Sequence, residues 1–529
     1  MTSTRTKSIS GGTCVSALKR VLVVEDDPTS LEYLRVALQK AGCAVTAAVD
    51  AESAQVRLAE ERFESFDCVV TDYRMPGQSG LELLGWLKQQ APSLATIILT
   101  AEGEKKLVTD SLRRGAADFL EKPVGLRELR AAVERAVEQT RRCRRSDEVE
   151  SAVKELGRTQ ERLVSSRSAA GDVGVEICFH PKLEAGGDSF SHFQPEPGKY
   201  FCLLTDVSGH DLQAAYLSAY FQGVVRGMLD CGRPVPEIFS NFNRYLGEEW
   251  NPLAAAHGAC EVNASVAVCS VWMDLRERTA SIMTCGVPAP VYVEPDGRAT
   301  LVGASGGFPL GWFPEFAPES VRWPLVADGS VLLWTDGVED LADRIGVSPL
   351  SIGHRLRSAP RPRELPELQE AADDILFAAL RMPGGRPGAG GIEPLILERY
   401  EGSEAGRIDE LAAGWLRCLA FALPELSGAV RHDVLLASRE AVLNGLEHGC
   451  GGRSGSALVF QAGVDPLERR VRVRVDDPGD GHDFDVARHE QEALRNLAEE
   501  HRGLMLIRHL AKTVEFQRRG ASVVMDFAY

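Results

Sequence analysis

Along the first part of the chain, short apolar runs alternate with segments whose apolar positions recur every three or four residues. The runs Val21–Val24, Cys68–Thr71 and Thr96–Leu99 are strand-sized, and acidic or small residues follow each of them. From about residue 20 to residue 137 this alternation predicts a doubly wound α/β domain. The pattern then changes. Leu126, Leu129, Val133 and Val137, then Val149, Val153, Leu156 and Leu163, recur at steps of three, four and seven. That spacing predicts a long amphipathic helix to about Ser166, weakened at Gly157. It either pairs with a second copy as a two-stranded coiled coil, which makes a homodimer the expected state, or packs on its own domain.

A second α/β region runs from about Val173 to Tyr400, with Pro- and Gly-rich loops near 286–290, 304–311 and 383–391. Within it, Leu368–Arg381 reads as a helix and Leu395–Leu397 as the final strand. A third α/β region follows from about Gly406, and no repeat of 20 to 50 residues is visible. The expected division is a disordered Ser, Thr and Gly rich tail (1–19), a doubly wound domain (20–137), a helical linker (138–170), a middle domain (171–400) and a C-terminal domain (401–529).

Composition narrows the function classes. Hydrophobic residues make up 44% and charged residues 26%, as in ordinary globular protein. The apolar runs are far shorter than a membrane span, and the N-terminus has no stretch of signal-peptide length, so no membrane partner is expected. The formal charge of −17 argues against a nucleic-acid surface, although Arg141, Arg142, Arg144 and Arg145 form one small basic patch around Cys143. Twelve cysteines include no CxxC pair and several sit inside apolar runs, which reads as reduced thiols in a cytoplasmic protein.

Three sets of polar residues carry chemistry. Transfer of a phosphoryl group to a carboxylate needs a divalent ion, an Asp nucleophile and donors for the equatorial oxygens. In the first region Glu25 and Asp26 follow one apolar run, Asp72 another, Thr100 a third, and Lys122 precedes Pro123. Strand ends are where a doubly wound sheet places its site. Over about 115 residues this set resembles the bacterial response-regulator receiver family. The resemblance implies that Glu25, Asp26 and Asp72 hold Mg2+ with the carbonyl of Arg74. It further implies that Asp72 accepts a phosphoryl group from a sensor histidine kinase, and that Thr100 and Lys122 contact it. Phe119 matches the aromatic that reorients on phosphorylation.

In the second region Gly186-Gly187-Asp188, Thr205-Asp206-Val207-Ser208-Gly209-His210, Pro309-Leu310-Gly311 and Thr335-Asp336-Gly337-Val338 resemble the PPM-type serine/threonine phosphatases that regulate bacterial sigma factors. That family is an α/β/β/α sandwich. Two hard cations about 4 Å apart share a water that attacks a phosphoserine. The resemblance implies that Asp188, Asp206 and Asp336, with the carbonyl of Val207, hold Mn2+ or Mg2+. There are departures. The family's double aspartate ahead of the final strand is expected where Gly390-Gly391-Ile392-Glu393-Pro394 stands, while Asp373-Asp374 falls in the expected helix. Thr284-Cys285-Gly286-Val287 replaces Asn-Ala-Gly-His, and Asp211 replaces a glycine. One metal site is therefore expected to be incomplete unless Glu393 or a displaced loop supplies the oxygen.

In the third region Glu440 and Asn444 lie at i and i+4, one helix face. A strand from Arg470 to Val475 ends in Asp476-Asp477-Pro478-Gly479-Asp480-Gly481, and Arg502-Gly503-Leu504-Met505 opens another helix. Together these resemble the GHKL ATPases, two-layer α/β domains, and among them the anti-sigma-factor serine kinases. The resemblance implies ATP bound with Mg2+ on Asn444, Asp477 reading adenine, Glu440 as catalytic base, and Gly479, Gly481 and Gly503 admitting the nucleotide. Met505 stands where glycine is common.

The order of these regions resembles bacterial partner-switching regulators. Asp72 phosphorylation is then expected to set the balance between dephosphorylation and phosphorylation of an anti-sigma-factor antagonist, in a pathway with a sigma or anti-sigma factor. The other reading open at this point is a phosphorylation-gated adaptor whose middle domain is catalytically inactive.

Overall fold

The structure is a computed structural model. It describes residues 18–101, 114–164, 173–183, 185–209, 211–250, 264–303, 307–314, 318–360, 362–384, 392–481 and 502–529. The chain divides into two compact bodies, up to Ala152 and from Val153 onward.

The first body is built on a parallel sheet ordered β2-β1-β3-β4-β5. Its strands are β1 (Lys19–Val24), β2 (Cys43–Ala48), β3 (Cys68–Asp72), β4 (Thr96–Thr100) and β5 (Asp118–Glu121). The helices α1 (Pro28–Lys40), α2 (Ala51–Glu61) and α3 (Gly80–Gln90) start on local caps. Asp27 accepts from Ser30 N ahead of Pro28, and Asp50–Ser53 and Ser79–Glu82 form capping boxes. The fourth helix among the described residues, α4 (Leu126–Val164), is the long one, and it runs unbroken through Gly157. Its first half buries Leu129, Ala132, Val133, Ala136 and Val137 against the sheet. So the apolar stripe is divided in use: that half packs on its own domain, whereas Val149 is 60% and Leu156 44% exposed.

In the second body two antiparallel sheets face each other over a shared apolar layer. One is ordered β13-β10-β9-β8-β7 and the other β12-β11-β14-β15-β6. They comprise β6 (Gly174–His180), β7 (Ser189–Glu196), β8 (Lys199–Val207), β9 (Val266–Asp274), β10 (Thr279–Cys285), β11 (Val291–Val293), β12 (Ala299–Leu301), β13 (Val321–Pro324), β14 (Ser330–Trp334) and β15 (Ile375–Arg381). Helices α5 (Leu212–Asp230) and α6 (Val235–Tyr245) cover the outer face of the first sheet. Helices α7 (Asp336–Ile345) and α8 (Pro349–Ser358) cover the second, which completes an α/β/β/α sandwich.

The C-terminal sheet is ordered β16-β17-β18-β20-β19: β16 (Glu393–Glu401), β17 (Ala457–Asp465), β18 (Arg470–Asp476), β19 (Thr513–Gln517) and β20 (Ser522–Ala528). Helices α9 (Ile408–Ala422), α10 (Gly428–Asn444) and α11 (Arg502–Leu510) share its core, giving two layers.

Two expectations are corrected here. The stretch expected as the middle region's last strand is β16, which pairs with β17 in the C-terminal sheet. The stretch read as a helix, Leu368–Arg381, is a short 3-10 turn and then β15. Ile375–Leu380 is buried at every position between β14 and β6. A strand covered on both faces loses its two-residue alternation, so its period cannot be told from that of a buried helix.

Candidate active sites

In the first body the exits of β1, β3 and β4 meet. Glu25, Asp26 and Asp72 bring carboxylate oxygens within 4.8 Å of one another. Lys122, just past β5, donates from Nζ to both Glu25 oxygens at 2.9 and 2.7 Å and lies 2.9 Å from Asp72 Oδ1. Burial pushes the Glu25 carboxyl up, the Lys122 hydrogen bond opposes it, and the charges of Asp72 and Asp26 add to it. For Lys122, burial pulls the ammonium down, but its contacts with Glu25 and Asp72 win and hold it up. A pocket of hard oxygens whose charges repel each other suits a divalent cation. Thr100 is buried at the end of β4 and its hydroxyl donates to Ala101 O at 3.0 Å. Arg74 lies exposed two residues beyond Asp72, and Phe119 is half-buried in β5.

In the sandwich, four strand ends bring acids together. Asp188 precedes β7, Asp206 is the last residue but one of β8, and Asp336 follows β14. Asp373 and Asp374 precede β15. Thus the double aspartate does stand ahead of the final strand of the sandwich, whereas Gly390-Gly391, outside the described residues, precedes a strand of the C-terminal sheet. Glu393 is engaged elsewhere, by His354 Nδ1 at 2.7 Å and Arg357 at 3.1 Å.

The two neighbouring aspartates differ. Asp374 accepts from Lys182 N at 2.8 Å and Asp188 N at 3.4 Å, which fixes the loop carrying Asp188. A side chain at Gly186 would run into Asp374, and one at Gly187 into the carbonyls of Val207 and Gly209, so this loop must be glycine. Asp373 faces the other acids, raising both Asp206 and Asp336. Burial first, then the charges of Asp206 and Asp374, push the Asp188 carboxyl well up, while Thr335 Oγ1 donates to its Oδ2 at 2.6 Å. Burial and then Asp336 push Asp206 well up too. Burial and mutual charge are the cost of holding these carboxylates together.

Other departures find local reasons. Asp211 caps α5, accepting from Gln213 N at 3.0 Å and Ala214 N at 2.9 Å. Gly286 has a positive φ of 80° and abuts Pro309, so Thr284–Val287 and Pro309–Gly311 lie side by side. His210 lies outside the described residues.

One contact had no sequence signal beyond an ordinary polar residue in a helix. Gln160, on α4, donates from Nε2 to Gly186 O at 2.7 Å and Asp188 O at 3.0 Å. Its Oε1 accepts from Gly186 N at 3.1 Å. The linker helix is thereby stitched to the backbone that holds Asp188.

In the C-terminal layer α10 ends at Asn444 and widens into a π-type turn over Gly445–Gly449. A side chain at Gly449 would run into Asp477, and one at Gly503 into Glu440. So Glu440, Asp477 and the start of α11 gather around the end of α10. Asp477 Oδ1 accepts from Gly479 N at 2.8 Å, and Gly481, at φ 78°, abuts the Arg519 carbonyl. Ser522, whose register partner is Asp476, is buried and its hydroxyl has no partner among the described residues. That orphan beside Asp477 is a further polar atom for a ligand, which the sequence reading did not single out. Met505 sits half-buried in α11.

The family profile described as "Response regulator receiver domain" matches residues 21–134. The transcriptional regulatory protein FixJ of Azorhizobium caulinodans is 33% identical over 169 residues, 29% of this chain and 77% of that protein. FixJ of Bradyrhizobium diazoefficiens is 36% identical over 129 residues, 24% of this chain and 62% of that protein. The chain is a response regulator. Of the Bradyrhizobium relative it spans 62% of the length. Beyond its receiver, this response regulator matches "Stage II sporulation protein E (SpoIIE)" over residues 196–388 and "Histidine kinase-like ATPase domain" over 403–527. A receiver, a phosphatase-type domain and an ATPase-type domain on one chain make the partner-switching architecture. The RsbU and RsbW domains of Rv1364c from Mycobacterium tuberculosis align over 69% of this chain and 95% of theirs, at 19% identity and TM-score 0.33. No described helix is long and apolar enough to cross a membrane.

Proposed function

We propose that the response regulator turns phosphorylation of Asp72 into a choice between removing and adding a phosphate on a serine or threonine of an anti-sigma-factor antagonist. A sensor histidine kinase supplies the phosphoryl group. Glu25, Asp26, Asp72 and the Arg74 carbonyl hold Mg2+, and Lys122 and Thr100 receive the phosphoryl oxygens.

The observation that carries the phosphatase half is Asp373-Asp374 at the head of β15. With it, Asp188, Asp206, Asp336, Asp373 and the Val207 carbonyl form a full donor set for two Mn2+ or Mg2+ ions. Bound there, the ions supply an activated water for attack on phosphorus. Asp374 and Thr335 keep Asp188 in place, and Gly186-Gly187 let the backbone come close. The inactive-adaptor reading rested on a missing ligand pair and loses that basis. In the C-terminal domain Asn444 holds the Mg2+ of ATP, Asp477 with Ser522 reads adenine, Gly479, Gly481 and Gly503 admit the nucleotide, and Glu440 takes the serine proton during transfer. Control runs along α4, which ends on the Gln160 stitch, and a homodimer through the exposed Val149 and Leu156 face fits the same reading.

The test uses the full chain and a serine-phosphorylated antagonist with Mn2+. Phosphate release that disappears in Asp206→Ala and in Asp373→Ala is expected; release that persists in both would falsify the metal assignment. Labelled phosphate transfer from ATP, lost in Asn444→Ala, is the companion measurement for the kinase half. Equal turnover by wild type and Asp72→Ala with a phosphodonor present sinks the control step.

A further inference from the structure

The basic patch around Cys143 has a use within the first body. Arg144 donates to three carbonyls of one loop: Glu64 O at 2.9 Å, Phe63 O at 3.1 Å and Phe66 O at 2.8 Å. A planar guanidinium with five N–H groups can satisfy several acceptors at once, as a lysine cannot. One helical turn earlier, Thr140 is fully buried and its hydroxyl accepts from Ala95 N at 2.9 Å. Between them Arg141 lies 3.7 Å from Asp67, whose other oxygen accepts from Arg20 N at 2.8 Å.

These contacts fall on three particular strands. Arg20 is in β1, Asp67 directly precedes β3, and Ala95 directly precedes β4. The opposite ends of the same strands carry Glu25, Asp72 and Thr100. The helix is thus bolted to the entry ends of the strands whose exits form the phosphorylation site. Beyond Arg144 the described residues to Ala152 are exposed, and so are Arg142 and Arg145 of the patch. Arg144 stands where the packed part of α4 gives way to this exposed stretch.

We propose that Arg144 is a positioning residue: it fixes α4 to the base of the receiver sheet, and the response to phosphorylation at Asp72 depends on that attachment. This rests on the reading that Asp72 controls output through α4.

The experiment compares full-length wild type, Arg144→Ala and Arg144→Lys. Each is assayed for hydrolysis of p-nitrophenyl phosphate with Mn2+, with and without beryllofluoride as the phosphoryl mimic. Arg144→Ala should accept phosphate at Asp72 from acetyl phosphate at the wild-type rate. Its hydrolysis ratio with and without the mimic should fall to about one, and Arg144→Lys should recover part of the wild-type ratio. Amide exchange in the helix around residues 140–150 should rise about tenfold in Arg144→Ala, since a lost tie releases the local opening it restrained. A wild-type ratio retained by Arg144→Ala overturns the proposal. If wild type itself shows no change with the mimic, the control reading fails, and unchanged exchange in Arg144→Ala then overturns the attachment as well.

Discussion

At the head of β15 two adjacent aspartates sit in one turn with different partners. Asp374 is spent on the backbone N–H groups of Lys182 and Asp188, whereas Asp373 adds charge to Asp206 and Asp336. Their removal should therefore be distinguishable. On the proposed reading Asp373→Ala takes away a metal oxygen, and phosphate release should be lost at every Mn2+ concentration. Asp374→Ala leaves the proposed metal oxygens but removes the bonds to Lys182 N and Asp188 N, and charge-assisted bonds of this kind contribute about 1.5–3 kcal/mol each. That variant should need at least tenfold more Mn2+ and recover when it is supplied. A Mn2+ titration of phosphate release checks both; identical titrations refute the division of labour. The sequence shows Asp188, Asp206 and Asp336 because each sits in a motif beside glycine or threonine. It shows Asp373-Asp374 too but places them in a helix, because the apolar run that starts at Ile375 has no two-residue alternation. Gln160 and Ser522 are silent in sequence: their meaning comes from what lies across from them.

The elements that hold these residues were legible in proportion to their exposure. Parallel strands bounded by acids, and a helix with apolar residues at three- and four-residue steps, both announce themselves. β15 did not, and β16 was assigned to the wrong sheet because a short apolar strand carries no record of its neighbour. The linker helix shows a further limit: one periodic stripe serves the receiver at Leu129–Val137 and faces outward at Val149 and Leu156. Its far end makes the second prediction. Gln160 matches Gly186 and Asp188 with one acceptor and a two-hydrogen donor. Gln160→Ala breaks these bonds, each worth about 0.5–1.5 kcal/mol net, so phosphate release should fall roughly tenfold. Gln160→Glu should be worse than alanine, because a carboxylate would face the carbonyls of Gly186 and Asp188. Rates at saturating and limiting Mn2+ separate a positioning loss from simple unfolding; wild-type rates in the glutamate variant would remove Gln160 from the route of control.

On the scale of the second body, the sandwich and the C-terminal domain are joined by buried polar contacts. The Gln461 amide bonds both N and O of Ala299 at 2.9 Å, and it is only 6% exposed. Arg474 meets Asp296 at 2.9 Å, and Arg472 donates to Asp296 O at 3.2 Å. Across the junction the Ser348 and Ser351 hydroxyls both donate to Leu395 O, and Ser348 N donates to Cys418 Sγ at 3.2 Å. Val347 packs on the C-terminal core, while Leu397 and Phe421 pack on that of the sandwich. Separation would take these partners away, at about 1–3 kcal/mol for each buried group left unpaired. The expectation is that residues from Val153 onward unfold in one transition, although domains of this size commonly melt apart. Saturating ATP, at a hundredfold excess over Kd, should raise stability by about 2.7 kcal/mol. In a joined body that shift must also reach the sandwich, where Trp272, Trp323 and Trp334 report, whereas Trp415 reports on the C-terminal domain. Gln461→Ala should divide the transition. Two wild-type transitions, with ATP moving only the one seen by Trp415, would mean that the junction holds the domains together without coupling their stability.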